Sequence, residues 1–101
     1  MQENLTDKAL LDLAAKANGL SSDTSTWSDF DWDVYGWNPL TDDGDALRLA
    51  VKLKIPTQFP DWADVARAWG PKHGDPYDEF FGADPCAAVR RAIVRAAAQM
   101  A

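Results

Sequence analysis

A chain of 101 residues, 47% apolar and 26% charged, has the size and balance of one soluble globular domain with a single modest core. Its net charge of −6 disfavours non-specific nucleic-acid binding, which rests on neutralising phosphates. No apolar run approaches the roughly 18–20 residues that span a bilayer, the opening MQENLTDKALLDLAAK does not read as a signal peptide, and the single Cys86 rules out an intramolecular disulfide and fits a reducing cytoplasm.

The first predicted element is a helix over residues 6–18. Thr6 is its candidate cap, and Asp7 favours the positive end of the helix dipole. Leu10, Leu13, Ala14 and Ala17 recur at helical spacing and predict one buried stripe. Gly19 supplies a left-handed stop, with Leu20 able to fold back onto the last turn. The polar SSDTSTWSD that follows reads as a loop.

From Ser28 the pattern alternates with period two. Phe30, Trp32 and Val34 interleave with Asp29, Asp31, Asp33 and Tyr35, which predicts a half-buried strand. Aspartate is a poor strand former, so packing of the aromatic face has to outweigh local propensity. Gly36 and Asn38-Pro39 end this element in a turn.

A second helix is predicted from Thr41 or Asp42 to about Ile55, where Pro56 prevents continuation. Asp43 and Asp45 lie where free backbone N–H groups need acceptors. Ala46, Leu49, Ala50 and Leu53 form the expected buried face, widened by Leu47 and Val51. The stretch 61–69 is ambiguous. Trp62, Val65, Ala66 and Trp69 have helical spacing, yet Val65 and Trp69 also share one face of a strand. GPKHGDP is a turn, and YDEFF fits a short strand after it. In the last helix Asp84 is the cap and Pro85 the first helical residue. Its predicted buried face is Val89, Ala92, Ile93, Ala96 and Met100, with Arg90, Arg91 and Arg95 mostly outside it.

Two blocks, WNPLTDDGDALRLAVKL at 37–53 and DPCAAVRRAIVRAAAQM at 84–100, together resemble a group of short tailed-phage proteins related to the NinX family and the phage ABA sandwich domain. The resemblance implies an α+β fold: a small antiparallel sheet packed with about three helices, in a single domain spanning residues 1–101. It favours a strand within 61–69. It also implies a phage or prophage gene whose product acts inside a bacterial cell, in the host cytoplasm. It brings no catalytic residue, no cofactor and no metal ligand.

Charge and aromatic patterning supply the candidate partner-binding residues. Between Lys16 and Arg48 there is no Lys or Arg but there are seven aspartates, among them Asp29, Asp31, Asp33, Asp42 and Asp43. Carboxylates held on a rigid scaffold can occupy a basic groove made for nucleic acid, and an acidic face that only keeps the domain in solution accounts for the strip equally well. Of five tryptophans, Trp32 and Trp37 are expected in the core, whereas Trp27, Trp62 and Trp69 are open candidates for a binding surface. The expectation is a non-enzymatic phage accessory protein that modulates a bacterial host protein, with an inhibitor of a CRISPR defence complex as one version. The alternatives are a self-associating structural component and a small metal-dependent enzyme.

Other chemistry is weaker. DDGD at 42–45 lacks the alternating ligands and terminal Glu of an EF-hand loop, and a capped helix start accounts for its acids. On a strand, Asp31 and Asp33 would share a face as a carboxylate pair, but no further ligand accompanies them. His73 and Cys86 are a formal base–nucleophile pair; a small buried thiol is the expected state of Cys86.

Overall fold

The computed structural model describes residues 6–20, 24, 26–70, 74 and 76–101. The order is α1 (Asp7–Ala17), α2 (Asp29–Tyr35), α3 (Asp43–Leu53), β1 (Thr57–Gln58), β2 (Val65–Ala68), β3 (Tyr77–Phe80) and α4 (Pro85–Ala98). The fold is a small α+β arrangement in which a three-stranded antiparallel sheet, ordered β1-β2-β3, packs with helices.

Each helix starts where a short polar side chain accepts a free backbone N–H. Thr6 caps α1 through Ala9 N, Asp42 caps α3 through Asp45 N, and Asp84 caps α4 through Ala87 N. Pro85 occupies the first turn of α4, where its missing N–H costs nothing. The end of α1 is as the sequence predicts: Gly19 has φ +101° and Leu20 N returns to Ala15 O. Lys54 ends α3 in the left-handed region at φ +56°, which lets Ile55 N reach back to Ala50 O.

The long Ala-rich α4 is the hub. It packs against α1, α3, β2 and β3, and its small side chains let the sheet approach closely. Ala88, Ala92, Ile93, Val94, Ala96 and Ala97 meet Leu10 and Ala14 of α1, Ala46 and Leu49 of α3, and Ala66 and Ala68 of β2 in one apolar cluster. The predicted flank of α4 is partly revised, because the three arginines are latches. Arg91 reaches Asp7 on α1 at 2.7 Å, Arg90 reaches Asp43 on α3 at 2.6 Å, and Arg95 reaches Glu79 on β3 at 2.5 Å. Every element packed on α4 except β2 is thus also tied to it by an ion pair.

Three expectations are corrected. Residues 29–35 form α2, not a strand. Ser28 accepts from Asp31 N while the Asp31 carboxylate accepts from Ser28 N, a reciprocal cap, and Gly36 at φ +79° closes the other end. Two helix termini so close together satisfy the backbone of a single short helix, and this outweighs the alternation. Leu47 and Val51 are exposed rather than part of the α3 core, because the helix turns Ala46, Leu49 and Ala50 inward and them outward. Cys86 is exposed, not buried, since the first turn of α4 extends beyond the packed cluster.

The ambiguous 61–69 stretch contains strand β2. It pairs with β3 in the register Val65↔Phe80, Ala66↔Glu79, Arg67↔Asp78 and Ala68↔Tyr77. Alternation sends Ala66, Ala68, Tyr77 and Glu79 toward α4 and Arg67, Asp78 and Phe80 to the opposite face. On that opposite face Val65 is buried, whereas Asp78 and Phe80 are exposed.

Candidate functional site

The element that changes most between sequence and structure carries the candidate site. On a strand, Phe30, Trp32 and Val34 would share one face. On a helix, residues two apart diverge by about 200° while residues four apart realign. Trp32 is therefore turned inward and only 4% exposed, whereas Phe30 and Val34 project outward at 72% and 70% exposed.

Trp32 is the anchor of α2. It packs with Leu11 and Ala15 of α1 in a second apolar cluster, with Leu20, Trp27, Trp37 and Leu40 around it. The Trp27 ring meets Trp32 edge-on at 4.7 Å between centroids and Tyr35 at 5.3 Å. Trp37 lies 6.3 Å from Trp32 and touches both apolar clusters, so it joins this lobe to the main core. The indole N–H of Trp32 is buried with no hydrogen-bond partner among the described residues. Rings at these separations pack directly against one another and leave no cage between them. Trp27 belongs to this packing more than to a free surface.

The candidate acids divide by what they already do. Asp42 accepts Asp45 N at 2.8 Å and is the α3 cap. Asp45 is buried, accepts Asn38 N at 2.9 Å and pairs with Arg48 at 2.7 Å. Asp43 is held by Arg90, whose Nε also donates to Leu40 O at 2.8 Å. DDGD is thus a helix-start assembly, closely packed at Gly44: a Cβ there would meet the Arg48 guanidinium at 3.1 Å and Asp42 Oδ2 at 3.2 Å, so these side chains would have to shift. Asp31 is consumed in the α2 cap, and Asp33 is exposed on the same helix. The Asp29 side chain lies outside the described residues, as do Asp23 and His73. Since α2 is a helix, Asp31 and Asp33 do not share a face, and the carboxylate-pair expectation is withdrawn. No group of three or more His, Cys, Asp or Glu placed to hold a metal is found among the described residues.

The remaining tryptophans separate. Trp69 is half-buried beside β2, and its backbone N–H donates to Pro56 O at 3.1 Å. Trp62 is 71% exposed beside the open sheet face, with the Arg67 guanidinium 5.0 Å from its ring centroid. Arg67 Nε in turn lies 3.0 Å from Asp78, an ionic contact without directed hydrogen-bond geometry. Phe80, 84% exposed, is on the same face one pair along. The structure therefore presents separate sets of exposed apolar side chains: Phe30, Val34 and Tyr35 on α2, Leu47 and Val51 on α3, and Phe59, Trp62 and Phe80 on and beside the sheet. Among the described residues it does not bring the candidate aspartates and tryptophans into a single site.

Sequence reasoning missed Phe30, Val34 and Phe80. For the first two the signal was present: Ser28 with an acid three residues on, then Gly36 after one more turn, is a capped helix.

No helix among the described residues is long and apolar enough to cross a membrane. Comparison of the chain with protein-family models, with curated proteins and with solved structures finds no match in any of the three.

Proposed function

We propose that this chain is a non-enzymatic interaction protein, a phage accessory product that binds a bacterial host protein in the host cytoplasm and modulates it. The observation that carries this reading is the exposure of large apolar side chains on and beside the regular elements of the fold. Phe30 and Val34 stand on α2, and Trp62 and Phe80 stand at the open face of the sheet. Exposed aromatic side chains held in fixed geometry are the usual anchors of protein interfaces, because they bury much area with little loss of side-chain freedom. The resemblance of residues 37–53 and 84–100 to small phage proteins supports the phage and host part of the reading. The excess of acid over base suits a target with a basic surface, such as a nucleic-acid-binding defence component.

The acidic mimic takes a narrower form than the sequence pattern alone suggests. Asp31, Asp42, Asp43 and Asp45 already serve caps and ion pairs. Asp31, Asp42 and Asp43 still present charge outward, whereas Asp45 is buried; the geometry that presents them is set by folding, and apolar contact has to supply most of the affinity.

Affinity capture from bacterial lysate at low and high salt, read by mass spectrometry and repeated with the purified target, tests the reading. The expected result is a specific protein whose retention falls as salt rises. Recovery of the chain only with itself would overturn it.

A further inference from the structure

Resting on that interaction reading, we infer that α2 is the docking element and that its occupant is an apolar groove of another protein rimmed by Lys and Arg. Among the described residues the helix is held from one side only. Trp32 inserts between α1 and the Trp27, Trp37 and Leu40 side chains, while the Ser28–Asp31 cap and Gly36 fix both ends. Its outer side is Phe30 and Val34, four residues apart and therefore one above the other. A short helix whose shape is fixed before binding loses little freedom on docking, so two large side chains go further than they would on a mobile loop. Two anchors at this spacing are what a helix-in-groove contact reads.

Charge selects the occupant. Asp33 is exposed between Phe30 and Val34 along the helix, Asp31 is exposed one turn before Tyr35, and no Lys or Arg occurs from residue 17 to 47. A groove bordered by cations satisfies this rim, and an anionic lipid surface repels it. A second copy is a poor match for the same reason. Its net charge is −6, and its five arginines are already engaged with their own carboxylates (Arg48 with Asp45, Arg67 with Asp78, Arg90 with Asp43, Arg91 with Asp7 and Arg95 with Glu79), which leaves only lysines to form such a rim.

The test replaces Phe30 by the photo-cross-linking residue p-benzoylphenylalanine, in the full chain produced in bacterial cells, and reads the adducts by mass spectrometry. A parallel chain carries the same probe in place of Trp62. Phe30 is exposed, so the probe leaves the fold intact, and circular dichroism of the purified chain checks this. The expected result is an adduct from position 30 to one host protein, at a peptide with apolar residues next to Lys or Arg, and a several-fold weaker adduct when Asp33→Lys is added. An adduct from position 62 but none from 30 would overturn the assignment of α2 and leave the interaction reading standing. Adducts from position 30 only to a second copy or to lipid would overturn the assignment as well. Adducts from neither position would overturn both.

Discussion

Phe30 and Trp32, two residues apart, leave α2 on opposite sides, one largely in solvent and the other almost fully buried. Trp32 thereby fastens the helix to α1, and Phe30 is left for contacts outside the chain. The distinction predicts opposite behaviour for two substitutions on the same seven-residue helix.

Trp32→Ala removes the anchor and leaves a cavity beside Leu11 and Ala15. A loss of about 3–5 kcal/mol in urea unfolding is expected, the range for truncating a buried aromatic side chain. Trp32→Phe keeps most of the packing and removes an N–H that lacks a partner among the described residues, so its cost is expected to be well below that of Trp32→Ala.

Gly36→Ala isolates backbone strain. Nothing lies within 4 Å of a Cβ built there, but φ is +79°. About 1–2 kcal/mol of destabilisation is expected from the left-handed conformation alone. A neutral result in thermal unfolding would mean that α2 ends in another way.

The acids separate into structural and free groups. Asp42→Ala removes the α3 cap and is expected to cost about 1 kcal/mol. Arg90→Ala leaves Leu40 O and Asp43 without their donor and is expected to cost about 1–3 kcal/mol. Asp33→Asn is expected to change stability by less than about 0.5 kcal/mol, as for an exposed site with no special role. Denaturant midpoints of the three variants rank them directly.

Much of the frame is legible in the sequence because its signals are local. Thr6, Asp42 and Asp84 mark three helix starts, Gly19 and Pro56 mark two ends, and the strand at 77–80 follows from a local pattern, whereas the α+β class, which the structure has, is implied by the resemblance alone. The reading fails where two periods compete. FDWDV is apolar at every second residue, and over so short a span the alternation obscures a helix whose evidence lies outside it, in Ser28 and Gly36. Leu47 and Val51 fail for a different reason. Several positions of α3 are apolar, and only the placement of α4 decides which of them are covered. The α4 arginines look like a solvated flank, since their partners Asp7, Asp43 and Glu79 come from distant parts of the chain.

The most direct measurement compares capture of host proteins by the unaltered chain, by Phe30→Ser/Val34→Ser and by the control Leu47→Ser/Val51→Ser, each first shown to unfold within about 0.5 kcal/mol of the others, as exposed substitutions should. All four positions are exposed, so a difference in capture reports on the surface rather than on folding. Loss of the partner with the α2 pair, and its retention with the α3 pair, is the predicted result. Equal capture by all three would contradict the role assigned to α2.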